Sequence, residues 1–384
     1  MKKILLGTTA LVSAAAAFSA PALASDPLKV TVSGTIVSGF YVADIDNPSG
    51  TQYEDTAVKL FARNIDIAAE GTLDNGMVAG ALAKLQLGND ESVAVSGGDT
   101  TFNELYAYLE GGFGRFEIGG TDGAAYKMHY TSPWFVPGNG VDSPNIYNAA
   151  PITVGSFTVL ARTSTFALLT EDANKVSYFT PRFAGFQLGV SFTPDTSAGL
   201  DPRANGFGWT TTNNSFAQNV FEAALNYSGT LGGVDVGVDG FYVTGEAGSN
   251  TGDPVEYGFG ANFGYMGFTL GGAWYMSEDI MIGGQNLVVP STFGLEKEAW
   301  TAGLSYGTGP WTVGVAYLEG TASVSDAFTS GELKNSMWQV GGGYNLGAGV
   351  DLGLDVQFIN NDYSDFGGPD VDSTSGGLVL AVSF

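Results

Sequence analysis

From Lys29 to Phe384 the chain repeats one device: stretches of about ten residues in which apolar and polar side chains alternate, joined in turn by tight turns and long polar loops. A period of two puts each set of side chains on its own face of a strand. Leu352, Leu354, Val356 and Phe358 oppose Asp351, Asp355 and Gln357. Val234, Val236 and Val238 oppose Asp235 and Asp239, and Leu105, Ala107 and Leu109 oppose Glu104, Tyr106, Tyr108 and Glu110. A soluble β-sandwich has the same period, but its apolar faces share a core. A closed barrel in a membrane pairs every backbone N–H and C=O, gives its apolar face to lipid and encloses water with the polar one.

The first 24 residues read as a cleaved signal peptide: Lys2 and Lys3, an apolar run from Ile4 to Phe18, and small residues at Ala22-Leu23-Ala24. Ser, Thr and Gly break this run before the roughly 20 apolar residues that a spanning helix needs. No later stretch is long and apolar enough for such a helix, so a membrane form must be a barrel. Residues 25–384 contain no Pro- or Ser-rich linker and read as a single domain. Without the signal, 39 acids face 12 bases, a net charge of −27. That balance excludes a nucleic-acid partner and favours cations nearby. Cysteine is absent, which excludes disulfides and thiolate metal sites. The 57 Gly, 25 Phe, 17 Tyr and 6 Trp suit twisted strands with aromatic rims.

Sixteen strands are predicted, at about 29–43, 57–72, 77–88, 102–111, 115–121, 174–180, 186–193, 216–228, 233–245, 254–265, 267–277, 298–307, 310–319, 335–346, 349–360 and 375–384. Asp74-Asn75-Gly76 and Gly112-Phe113-Gly114 are tight-turn sequences. Short and long connections alternate, as a transmembrane barrel requires. The apolar run from Ile152 belongs inside the long insertion at about 122–173, because a seventeenth wall strand would break that alternation.

Two stretches carry a family resemblance. The run from Asn103 to Ala125, followed by Met128-His129-Tyr130, resembles the fourth and fifth strands of general diffusion porins of alphaproteobacteria. Tyr178 to Pro194 is similar to the next hairpin of that family, and Leu380, Val382 and Phe384 resemble the outer-membrane assembly signal of such barrels. The resemblance implies an all-β fold, an antiparallel transmembrane barrel of sixteen strands whose long third loop, here 122–173, folds inward. It further implies a homotrimer in the cell outer membrane, in contact with lipid, lipopolysaccharide and the barrel assembly machinery, that passes small hydrophilic solutes and ions.

A passive pore needs a water-filled gap whose width and fixed charges set what passes. The expected constriction sets Asp122, Asp142, Glu171 and Asp172 on the loop against Lys84 and Arg115 on the wall, with Glu117 beside Arg115 and Lys59 and Arg63 as further candidates. Arg63 shares its parity with Phe61, Ile65 and Ile67, which aims it at lipid unless a bulge or a subunit interface intervenes. Acids on the polar face (Glu104, Glu117, Glu222, Asp235, Asp239, Glu256, Asp351, Asp355) predict a mild preference for cations. No cofactor is expected. Asp362, Asp365, Asp370 and Asp372 are weak calcium candidates without the ordered spacing of a dedicated loop. Other readings are a channel selective for a sugar or an anion, a plugged structural or adhesive barrel, and a hydrolase. The last is disfavoured: the one histidine is His129, and no Gly-x-Ser-x-Gly elbow occurs.

Overall fold

The computed structural model describes residues 28–46, 55–86, 101–144, 152–154, 157–159, 161–196, 217–247, 252–279, 294–325, 330–368 and 370–384. The expected signal peptide lies outside these residues. In chain order the strands are β1 (Lys29–Asp46), β2 (Thr56–Thr72), β3 (Val78–Gln86), β4 (Thr101–Gly111) and β5 (Gly114–Gly120). A short helix, α1 (Ala124–Lys127), and two short strands, β6 (Ile152–Val154) and β7 (Phe157–Val159), follow. Next come β8 (Asn174–Phe179), β9 (Phe186–Asp195), β10 (Gln218–Leu231), β11 (Val234–Glu246), β12 (Val255–Tyr265) and β13 (Phe268–Glu278). The chain closes with β14 (Gly294–Thr308), β15 (Trp311–Ser325), β16 (Ser330–Gly347), β17 (Val350–Asp362) and β18 (Val371–Ser383).

Sixteen of these strands form one closed antiparallel barrel, in which each pairs with its chain neighbours, β5 pairs with β8, and β18 returns to β1. β6 and β7 pair only with each other, so the apolar run from Ile152 stands apart from the wall. Several strands outrun their predicted ends: β14 starts at Gly294, β15 continues to Ser325 and β16 starts at Ser330. Beyond the lipid-facing belt the outward positions become polar, as at Thr321 and Ser323, so the hydrophobic alternation fades while backbone pairing continues. The seam closes with Gly34 and Phe384 exchanging both backbone hydrogen bonds, 2.8 and 3.0 Å.

The two faces differ as the alternation requires. Leu354, Leu378, Phe259 and Leu270 are more than half exposed on the outer face, whereas Asp355, Glu256 and Gln339 are buried on the inner one. Trp311–Tyr344 and Phe268–Tyr306 ring pairs, 4.4 and 4.5 Å between centroids, stand beside the short turns on the outside. This is the aromatic girdle of a membrane barrel.

A β-bulge decides the placement of the β2 cations. Val37 pairs with Ala62 and Ser38 with Leu60, so Phe61 is the extra residue. The inner-face parity of β2 therefore switches there. Lys59 and Phe61 join Tyr41 on the inner side, Lys59 5.4 Å above its ring and Phe61 edge-on to it. Arg63 pairs with Ile36, an outer-face residue, and so stands on the outer wall rather than in the lumen.

Placing a cation on the lipid side of a barrel costs about 2–4 kcal/mol near mid-membrane. Leu354→Arg should lose stability of that order in a denaturant titration of the bilayer-inserted protein. Asp235→Asn, on the inner face, should change it by less than about 0.5 kcal/mol.

Candidate functional site

The connection between β5 and β8 leaves the wall at Thr121 and travels round the barrel on its inner face. Ala124 N–H donates to Ser191 on β9 (2.8 Å) and Ala125 N–H to Glu222 on β10 (3.0 Å). Tyr130 N–H donates to Asp239 on β11 (2.7 Å), and the hydroxyls of Ser132 and Thr301 on β14 are 2.9 Å apart. Phe135 and Val136 pack with Ala316 on β15, Met337 on β16, and Val37 and Tyr41 on β1. At the end of this outward limb Asn139 donates to Asp355 on β17. A second limb returns over 161–173. Arg162 N–H reaches Thr321 O on β15 (3.3 Å), its guanidinium lies 4.2 Å above the Tyr275 ring of β13, and Leu168 and Leu169 N–H donate to Glu256 on β12 (3.0 and 3.1 Å). Thr170 then donates to Glu222 (2.5 Å) before the chain rejoins the wall at β8.

Half of the acids expected to charge the lumen are thus employed otherwise. Glu222, Asp239, Glu256 and Asp355 are buried and accept hydrogen bonds from the inner segment. Glu222, Asp239 and Glu256 supply the acceptor that a backbone donor lying against a finished sheet cannot find there, and Asp355 takes the Asn139 side-chain amide. Asp235 and Asp351 remain partly or fully exposed.

Asp142 is also no lumen charge. It is fully buried and ties the two limbs together, accepting from Thr131 Oγ1, Thr165 Oγ1 and Thr165 N–H (2.7 Å). His129 sits on the same joint. Its Nδ1 is 3.1 Å from Asp239 and its Nε2 3.1 Å from Thr165 Oγ1, between the rings of Phe166 and Phe241. Acid, imidazole and hydroxyl follow in the order of a hydrolase triad. The hydroxyl is fully buried and donates to Asp142, so no substrate reaches it.

A second set of charges gathers where the segment meets β3, β4 and β5, with Lys84, Arg115 and Lys127 partly exposed and Glu104 and Glu117 buried. Lys84 pairs with Glu104, Arg115 with Glu117 (2.6 Å) and Glu110 (3.1 Å), and Lys127 with Glu117 (2.6 Å). Arg115 lies 3.7 Å above the Tyr108 ring and Lys127 4.8 Å above that of Tyr106. Carboxylate oxygens of Glu104, Asp122 and Asp172 lie within 4.8 Å of one another, and Lys175, buried, donates to the carbonyls of Thr121, Glu171 and Ala173 beside them. Of the loop acids predicted for the site, Asp122 and Asp172 stand within reach of the Lys84 charge, Glu171 faces Arg162 and Glu256 as well as those two acids, and Asp142 lies elsewhere.

Burial first, and neighbouring acids second, raise the loop carboxyls: Asp122 to about 6, Asp172 to about 7 and Glu171 to about 8. Asp122 is pushed by Glu104, Asp172 by Asp122, and Glu171 by Asp172. The folded state then holds protons that the unfolded chain releases near pH 4, so this stabilisation is complete in acid and is lost as pH rises through about 6 to 8.

Of the calcium candidates, Asp362 and Asp370 share a side-chain hydrogen bond and Asp372 acts on Asp370 through its charge, but no three of them close up as a cation site among the described residues. Asp362 accepts from Ser364 N–H (2.9 Å), Asp365 from Glu332 N–H (3.0 Å) and Asp372 from the Asn360 amide (2.8 Å). Among the described residues, the three-acid group at Glu104, Asp122 and Asp172 is the one close enough to share a cation, and Lys84, Lys127 and Lys175 already surround it electrostatically.

Asp142→Ala removes the acceptor of three donors at a buried joint and should cost on the order of 3 kcal/mol. Hydrogen exchange should accelerate over 161–170 while the wall strands keep wild-type protection.

Known proteins place this architecture. The sequence pattern of the Gram-negative porin family matches residues 8–364. An uncharacterized protein of Rickettsia prowazekii is 27% identical over 219 residues, 51% of this chain and 49% of that protein; one of Rickettsia felis is 28% identical over 137 residues, 32% and 30%. The chain thus spans half or less of these relatives' length. Among solved structures, the anion-selective porin of Comamonas acidovorans is 16% identical at a TM-score of 0.59, covering 93% of this chain and all of that one. The channel DcaP of Acinetobacter baumannii gives 12% and 0.61, covering 95% and 100%, and the trimer form of the outer-membrane protein OmpT of Vibrio cholerae gives 11% and 0.58, covering 94% and 100%. At such identities the structures speak for the fold alone, while the family match extends over most of the chain: it belongs to the Gram-negative porin family, integral β-barrels of the outer membrane.

Proposed function

We propose that the protein is a general diffusion pore for small hydrophilic solutes and ions, narrowed by the inner segment 121–173. One observation carries the reading. The inner faces of β9 to β17 are largely buried under the segment, whereas Lys59 and Glu110 on β2 and β4 are exposed and Lys84, Tyr106, Tyr108 and Arg115 are partly so. Water and solutes would pass between that wall and the segment. Lys84 and Arg115 on the wall would stand across from Asp122, Glu171 and Asp172 on the segment, which also carries Lys127, and opposed charges across a gap orient dipolar solutes.

General diffusion fits better than a sugar-selective track. Tyr106 and Tyr108 line the gap, but Lys127 and Arg115 lie over their rings, so those faces are occupied rather than open for stacking. The anion selectivity named for the Comamonas porin belongs to that protein; the acid excess here argues for a mild cation preference. We further propose a homotrimer, supported by the trimeric form of one structural neighbour.

The raised loop carboxyls give the preference a direction with pH. Below about pH 6 they are neutral and the neighbouring cations dominate; towards pH 9 they ionise and the gap becomes more negative. Single-channel recording of the native oligomer under a KCl gradient should give open, ohmic steps, with a reversal potential that grows more cation-biased from pH 5.5 to 9. A trend in the other direction, or a neutral reversal potential throughout, contradicts the charge assignment. Absence of steps from folded protein contradicts the pore and restores the plugged barrel.

A further inference from the structure

The inner segment lies on glycines. The outward limb places Tyr130 over Gly260 on β12, Pro133 against Gly303 on β14, Phe135 on Gly314 of β15 and Pro137 on Gly353 of β17. Two such positions differ in kind from the rest. A methyl group at Gly260 would lie well inside the ~3.5 Å of ordinary carbon contact from the main-chain carbonyl of Tyr130. One at Gly320 on β15 would strike the carbonyl of Arg162 on the return limb, and its three nearest atoms all belong to the Arg162 main chain. Main chain cannot rotate aside as a side chain does.

The wall itself makes little or no demand for glycine at either place. Neither residue has a positive φ, so a strand can carry alanine there without backbone strain. Apart from the segment, the nearest neighbour of a Gly260 methyl is the Asp239 Oδ1 atom at 2.9 Å, on a side chain, and Gly320 has none as near as Arg162. Gly272 and Gly342 present the opposite case, since methyls there would strike the carbonyls of adjacent wall strands, Thr301 and Thr312.

Each seat combines two devices. Asp239 and Gly260 are cross-strand partners: the acid takes the N–H of Tyr130 while the glycine admits its C=O. At the second seat Thr321 O accepts from Arg162 N–H, and Gly320 beside it admits the Arg162 carbonyl. Such contact distances exist only where a barrel residue lacks Cβ. We infer that Gly260 and Gly320 are positioning residues that hold the two limbs of the inner segment against the wall, and so set the width of the gap. The effect on width rests on the proposed pore; the seating does not.

The absence of native cysteine lets one experiment separate the two. Single reporters are placed on the buried limbs, Ser132→Cys for the outward one and Ala161→Cys for the return one, with and without Gly260→Ala and Gly320→Ala respectively. Thiol labelling by a small water-soluble reagent is followed with single-channel conductance, in protein whose barrel is verified by heat-modifiable migration. Seating predicts labelling accelerated by about tenfold or more in the alanine variants, the signature of a locally opened segment. Gly376→Ala, a position with nothing within 4 Å of its methyl, should leave the rate unchanged. Unchanged labelling in folded Gly260→Ala and Gly320→Ala overturns the inference. Faster labelling with larger, noisier conductance supports both seating and narrowing. Faster labelling at wild-type conductance supports the seats and rejects the segment as the constriction. Should an alanine variant fail to fold, excision of the segment from the same chain decides. Folding recovered to the level of the excised parent assigns the fault to the collision, and folding not recovered assigns it to the wall and overturns the seat.

Discussion

Backbone pairing in a medium without water is the constraint from which the rest follows. A strand in lipid can satisfy its N–H and C=O groups only on its neighbours, and only closure leaves no strand at an edge. The Gly34–Phe384 exchange and the β5–β8 pairing are where this chain meets that demand, at the seam and across its longest insertion. Once the ring is closed the wall has spent its backbone groups. What lies against the inside finds its partners chiefly among side chains, the Arg162 N–H bond to Thr321 O being an exception.

That second requirement explains the acids. Glu222, Asp239, Glu256 and Asp355 take hydrogen bonds from a segment that has no strand to pair with. A carboxylate accepts strongly from several donors at once, and these acids are buried by the segment they hold. The same segment covers the inner faces of β9 to β17 and leaves the β2–β4 wall less covered, with Lys59 and Glu110 exposed. The cations on that remaining wall sit in ion pairs and over tyrosine rings, which fixes their heads in place rather than leaving them to swing through the gap.

The wall was legible in the sequence because period-two alternation acts residue by residue. Leu354 against Asp355 needs no knowledge of the rest of the chain. Strand ends at Ser325 and Ser330 were not legible, since pairing outlasts the hydrophobic signal there. Lys59 shows the limit of parity: it has the same odd parity as Arg63, but the bulge at Phe61 turns it inward while Arg63 stays on the outer face to which parity assigns it, and nothing in the β2 sequence announces the extra residue. The path of the inner segment was hidden for a different reason. Asp142 and Asp122 are equally acidic in sequence, and only the stacking of two limbs distant along the chain buries the first at their joint, while the second lies beside Glu104 and Asp172. An acid on the polar face of a strand reads as a lumen charge until something is known to lie on it.

The central claim is that water runs between the inner segment and the β2–β5 wall. Single-channel current during thiol modification of Tyr108→Cys, on that wall, tests it most directly in a chain that otherwise lacks cysteine. The account predicts that each modification event lowers the current in a discrete step, while a cysteine at Ala224, fully buried on the inner face of β10, leaves it unchanged. Steps at Ala224 with none at Tyr108 would place the pore on the other side of the segment and contradict the account.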